Sequence, residues 1–192
     1  MPGGAGFDYA AVTKPQRGRE ECILQMLIIF AGLPGVGKTT IAQELAHKLG
    51  AGYLRIDSIE QALRDSGTVV GPMNDSGYRI AYTLAADNLR LGGTVVADSV
   101  NPLGITRESW REVAEKARVD SVEIEIKCSD CDEHRRRVES RSADIPGLTP
   151  PAWAEVLARE YEPWDREHIE IDTSELSVEE SVELILSKLR RH

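Results

Sequence analysis

Residues 32–39 read Gly-Leu-Pro-Gly-Val-Gly-Lys-Thr, set between the apolar run Met26-Leu27-Ile28-Ile29-Phe30-Ala31 and a helical repeat. That succession restricts the fold more than any other stretch. The run suits a strand buried on both faces. After the loop, Ile41, Ala42, Leu45, Ala46 and Leu49 recur at helical spacing until Gly50 closes the segment. Strand, glycine loop and helix N-terminus together make an anion site, because free N–H groups and the helix dipole converge there. The loop fits the pattern G-x-x-x-x-G-K-[ST], and each fixed position has a chemical reason. Gly35 and Gly37 allow backbone conformations that turn consecutive N–H groups inward on phosphate oxygens. Lys38 offers a mobile charge to the β- and γ-phosphates, and the Thr39 hydroxyl can ligate Mg²⁺. Nucleotide contacts are therefore expected from Gly32, Leu33, Pro34, Gly35, Val36, Gly37, Lys38, Thr39 and Thr40.

The remaining chain alternates strand-like and helix-like segments. Further strands are expected at Tyr53–Ile56, Thr94–Ala97, Val122–Lys127 and Ile169–Ile171. Helices are expected at Ser58–Asp65, Tyr78–Leu91, Thr106–Arg118, from Asp130 through Arg141, after Thr149-Pro150, and after Ser177. In the helix after Pro150, Trp153, Val156, Leu157 and Tyr161 share one face. Ser177 and Glu180 match a capping box, as do Asp130 and Glu133. Trp110 is expected to pack its helix on the sheet. Five strands alternating with helices imply a parallel sheet covered on both faces, so the ligand site lies beyond the carboxyl ends of the strands.

Charged residues at those ends are the ones to weigh. Asp98 follows the third strand, where a carboxylate holds Mg²⁺ through water. Asp57 follows the second and could accept a proton from an acceptor hydroxyl; it could equally cap the next helix, since Glu60 lies at capping spacing. Arg137 and Arg141 lie four apart on one helix face, where a polyphosphate would relieve their repulsion and Glu133 could partly do so. Their functional reading is a lid with a return loop over 142–149. The plainer reading is a solvated basic face.

The 192 residues suit one domain, with a tail expected to be flexible over 1–25 and the folded unit over 26–192. A net charge of −9 argues against an extended nucleic-acid footprint. No apolar run reaches membrane-spanning length. Cys22, Cys128 and Cys131, odd in number and without a signal segment, suggest a reducing, cytoplasmic setting. Cys128-Ser129-Asp130-Cys131 is read as two ordinary thiols, because Asp130, Asp132 and Glu133 oppose thiolate formation and only His134 is close enough to add a metal ligand. Trp153, Tyr161 and Trp164 read as core or domain edge. His47 and His168 receive no role.

With the glycine loop, the two strand-end aspartates and the arginine helix in this order, residues 26–190 resemble the P-loop kinase group. The resemblance is to the branch of small-molecule kinases that includes chloramphenicol phosphotransferase, zeta toxins, gluconate kinases and the polynucleotide kinase domain. It implies a three-layer α/β P-loop NTPase fold with a five-stranded parallel sheet of order 2-3-1-4-5, helices on both faces and an arginine-bearing lid. It also implies Asp57 as the base and Arg137 and Arg141 as the lid arginines, alongside Lys38 as catalytic, with Thr39 and Asp98 on the metal. The polynucleotide-kinase pattern has arginine three residues after that aspartate, whereas this chain has Glu60. No N-K-x-D or L-S-G-G-Q segment is present, and the helical domain that AAA+ motors usually append after the sheet is not expected. The expected activity is transfer of the γ-phosphoryl group of ATP, with Mg²⁺, to a hydroxyl of a small molecule. A nucleotide-dependent switch and a kinase of nucleotide sugars, like the zeta toxins, stand as alternatives. Oligomeric state is not legible.

Overall fold

The computed structural model describes residues 25–67 and 71–190. The tail expected over 1–25 and Cys22 lie outside those residues, Gln25 excepted. Five strands form one parallel sheet: β1 (Met26–Ala31), β2 (Gly52–Arg55), β3 (Val95–Asp98), β4 (Asp120–Lys127) and β5 (Ile169–Asp172), in the order β2-β3-β1-β4-β5. Seven helices connect or follow them among the described residues: α1 (Lys38–Leu49), α2 (Ile56–Asp65), α3 (Ser76–Arg90), α4 (Gly104–Ala117), α5 (Cys131–Ser140), α6 (Trp153–Leu157) and α7 (Val178–Leu189).

Strand alternation sorts the core into two layers. Ile28 and Phe30 of β1 point toward α1 and α7, with Ile41, Leu45, Val182 and Ile185. Leu27 and Ile29 point the other way, toward Ala81 and Leu89 of α3 and Trp110 of α4. Both faces of β1 are therefore covered, which is why its sequence is apolar without alternation. Trp110 is fully buried on the sheet, as expected.

Several boundaries differ from the sequence expectation for identifiable reasons. The second strand ends at Arg55 and α2 opens at Ile56, so Asp57 and Ser58 lie in its first turn and neither caps it. Glu60 is paired with Arg64 rather than turned back to a cap, and Gln61 donates to Asp65 Oδ1 at 2.8 Å. The fourth helix begins at Gly104, and Thr106 donates back to the Leu103 carbonyl at 2.8 Å. At α5, Asp130 caps by accepting from the N–H groups of Asp132 and Glu133, but Glu133 turns to arginines rather than back to the cap. The helix ends at Ser140, leaving Arg141 extended. The largest departure is α6, only five residues long. Pro150-Pro151 delays its start to Trp153, with Ala152 at the N-cap, and Tyr161 falls outside it. The Ser177–Glu180 capping box at α7 forms as expected.

Candidate functional site

The glycine loop joins β1 to α1 at the carboxyl edge of the sheet. Gly35 and Gly37 adopt φ of 88° and 91°, a region L side chains avoid. A Cβ at Gly35 would lie 2.4 Å from Val138 Cγ2 of α5. That closeness is maintained from α5 itself, where His134 Nε2–H donates to the Pro34 carbonyl at 2.9 Å and the ring meets Trp153 edge-on at 5.0 Å. On the other side Thr173 Oγ1 donates to the Val36 carbonyl at 2.8 Å. We expect Gly35→Ala to cost about 1–3 kcal/mol of stability through the clash and the unfavourable φ. Nucleotide affinity should fall with it, because the N–H groups would be displaced. Urea unfolding and titration with a non-hydrolysable ATP analogue check the two effects separately.

Lys38 and Asp98 meet beneath the loop. Lys38 Nζ lies 2.9 Å from Asp98 Oδ1, with side-chain exposures of 9 % and 1 %. Tyr53 OH donates to Asp98 Oδ2 at 2.6 Å. Burial alone would raise the Asp98 pKa, but Lys38, Tyr53 and Thr39 together hold it below the usual carboxylate range. Burial and the Asp98 charge keep the Tyr53 phenol well above its ordinary value, so it remains a donor. Asp98 is thus an anion beside the Thr39 hydroxyl, an all-oxygen donor set that fits Mg²⁺.

Beyond the loop opens a cleft of about 810 Å³ lined by Lys38, Thr39, Asp57, Arg137 and Arg141, among others. Most of the sequence-predicted residues therefore share one cavity; Gly32 and Val36 do not line it, Val36 being packed in the core, and Asp98 sits below its floor, reached through Lys38. Asp57 is nearly half exposed, 3.8 Å from Arg55. Arg137 is fixed from two sides: Glu133 accepts from Nε at 2.7 Å, while Thr173 takes both terminal nitrogens, through Oγ1 at 2.8 Å and its carbonyl at 2.9 Å. Arg141 does not share a helix face with it, as the spacing predicted, yet it reaches the same cleft from the extended chain after α5. Arg135 and Arg136 pair with Glu139 and Glu133 in solvent, where the plainer reading holds and each pair contributes little.

Other lining residues had no sequence signal assigned. Arg55, 9 % exposed, holds Asp144 of the segment after α5 with both terminal nitrogens, Nη2 to Oδ1 at 3.1 Å. Its position at a strand end was the available clue. Glu60, Arg64 and Arg159 face the cleft beside Asp57. Burial raises the Glu60 carboxyl, opposed by Arg64 and reinforced by Asp57. Cys128 and Cys131 are free thiols; burial pushes Cys128 up, the opposite of a redox-active thiolate.

Sheet order, a glycine loop over a buried Lys–Asp pair and an arginine helix against that loop define the P-loop kinase class. Within it, the family model AAA_33, described as an AAA domain, matches residues 27–161. The chain belongs to that family; the match takes in β1 through α6 and stops before β5. An uncharacterized protein of Mycobacterium tuberculosis, Rv2004c, is 30% identical over an alignment of 161 residues that covers 77% of this chain and 32% of that protein. The chain thus spans about a third of that relative's length. The adenylyl-sulfate kinase of Staphylococcus epidermidis is 26% identical over 191 residues, covering 94% of this chain and 92% of that one. Among solved structures, a gluconokinase from Sinorhizobium meliloti superposes with a TM-score of 0.61 at 16% identity, over 88% of this chain and 93% of that one. At that identity the likeness is one of fold. No helix among the described residues is long and apolar enough to cross a membrane.

Proposed function

We propose that the protein transfers the γ-phosphoryl group of ATP to a hydroxyl of a small molecule. The observation that carries this reading is the single cleft joining the phosphate loop to Asp57 and the two lid-side arginines. A pure switch needs space for a nucleotide; here the cavity extends from the phosphate loop to Asp57, Glu60 and Arg64 of α2, where an acceptor can sit. The similarity to adenylyl-sulfate kinase supports the same class.

In this scheme the N–H groups of residues 33–39 hold the β-phosphate and Lys38 reaches the γ-phosphate. Thr39 and Asp98 hold Mg²⁺, which when bound neutralises phosphate charge. Asp57 accepts the proton of the acceptor hydroxyl as its oxygen bonds to the γ-phosphorus. The bond from that phosphorus to the β–γ bridging oxygen breaks, and ADP leaves. Arg137, already fixed by Glu133 and Thr173, and Arg141 offset charge on the transferring group. Holding reactants in line supplies most of the acceleration, because the transition state is loose.

The test is γ-labelled ATP incubated with a pool of small hydroxyl compounds, comparing wild type with Asp57→Asn. The expected result is a labelled product from wild type and a loss of on the order of a hundredfold or more in the variant, with ATP affinity retained. Label released only as free phosphate, equally by both proteins, would favour the switch and remove Asp57 from the chemistry.

A further inference from the structure

On the sheet face opposite α1 and α7, three side chains from β4 and β5 converge without any part in the cleft. Glu125 alternates between Ile124 and Ile126, and Glu170 between Ile169 and Ile171. Both therefore project to the far face, and their positions are in register between the paired strands. His168 joins them from just before β5; its side chain is 9 % exposed and its ring stacks on Trp164 at 4.2 Å. We propose that Glu125, His168 and Glu170 form a binding site for a divalent transition metal of the zinc type, separate from the nucleotide site.

Three observations converge on it. His168 Nδ1 faces the Arg166 carbonyl at 2.9 Å and must donate to it, which in the neutral ring leaves Nε2 as the lone-pair nitrogen. That is the orientation in which metal-binding histidines are held. Next, Nε2 is buried with no hydrogen-bond partner and is aimed between the two carboxylates. Finally, all three ligand atoms lie within 4.8 Å of one another, and the two separations from the imidazole suit a shared ion better than a direct bond. Nε2 lies 3.5 Å from Glu125 Oε2 and 3.6 Å from Glu170 Oε1, beyond hydrogen-bonding range. Ligand atoms about 2.1 Å from a tetrahedral zinc ion sit about 3.4 Å apart.

The donor set also selects the metal. One imidazole with two carboxylates suits Zn²⁺, Co²⁺ or Mn²⁺, whereas Mg²⁺ and Ca²⁺ take oxygen alone. Two carboxylates balance the dication. Lys127 engages the other oxygen of Glu170 and leaves Oε1 to the site. The Tyr161 hydroxyl lies near enough to Glu125 to donate to it and so support it. Bound metal would fasten the segment before β5 to β4, and that segment includes Arg159 of the cleft.

The experiment is a Co²⁺ titration of the full chain carrying Cys128→Ser and Cys131→Ser, with excess Mg²⁺ to occupy Thr39 and Asp98. Expected is one saturable site per chain with the visible spectrum of nitrogen and oxygen ligands. Zn²⁺ should raise the thermal midpoint of the same protein. His168→Gln should weaken affinity at least about tenfold and cancel the thermal shift. Glu170→Gln, at a half-exposed position that does not threaten folding, should do likewise. Absence of saturable binding, binding only when both cysteines are present, or equal affinity in Glu170→Gln would overturn the proposal.

Discussion

Replacing Lys38 with methionine should lower turnover on the order of a hundred- to a thousandfold, the usual loss when one charge-stabilising donor is removed. It should also cost about 3–5 kcal/mol of stability, because Asp98, 2 % exposed, is left buried without its cation. The two effects can be separated by pH. In wild type the Asp98 pKa is held below its unfolded value, so the pair stabilises the fold above about pH 4, and that stability is lost as pH falls through the folded pKa. Without Lys38, burial acts unopposed by the ammonium and the folded pKa rises above the unfolded one. Stability of the variant should then be greatest in acid and decline as pH rises through that new value. Denaturant midpoints between about pH 2 and 8 would show wild type losing this stability below about pH 4 and holding it above, whereas the variant loses stability as pH rises above about 4.

A second substitution sharpens the result. Lys38→Met with Asp98→Asn removes both charges, keeps an acceptor for Tyr53, and should recover most of the lost stability while turnover stays low. Recovery of activity together with stability would mean that Lys38 serves the fold and not phosphoryl transfer.

The parts of this molecule legible in the sequence are those written in local periods. Residues 26–31 announce a buried strand, 32–39 an anion loop, and Ser177 with Glu180 a helix start, because each signal is complete within a few residues. Asp98 and Asp57 were legible one step further, since a parallel sheet gathers its strand ends at one edge. Contacts joining distant segments have no such period. The Arg55–Asp144 pair spans 89 residues and the His134–Pro34 bond 100. His134 read as a possible metal ligand and proves to be a brace for the loop. His168 read as a residue without company, because Glu125 comes from β4, 43 residues earlier in the chain, and Glu170, two residues on, gives no signal by itself. The segment after α6 misled for a related reason: Tyr161 and Trp164 carry the aromatic spacing of a helix, but they are placed by what they cover.

What they cover is Arg107, and its removal should produce the largest stability loss outside the nucleotide site. Arg107 is 1 % exposed, and its guanidinium donates to four carbonyls: Asn101 at 3.1 Å, Pro102 at 3.2 Å, Glu162 at 2.8 Å and Pro163 at 3.3 Å. Its flat face rests on Trp164, 4.1 Å from the ring centre. Two segments that share little else are thereby joined, the turn after β3 and the chain leading to β5. One backbone bond, Glu162 N–H to the Pro102 carbonyl at 2.8 Å, joins them as well. Arg107→Met should cost about 3–5 kcal/mol, since it strands several buried acceptors at once. Lysine at this position keeps the charge but cannot span four acceptors with one ammonium, so Arg107→Lys should recover only part. The loss should reach function by an identifiable route. Arg159 enters the cleft from the same segment, so loosening that segment should raise the KM for the acceptor while leaving the KM for ATP near its wild-type value. Urea midpoints followed by tryptophan emission, with both KM values measured on the folded variants, test the chain of cause. Equal rises in both KM values would show that the segment steadies the nucleotide loop instead.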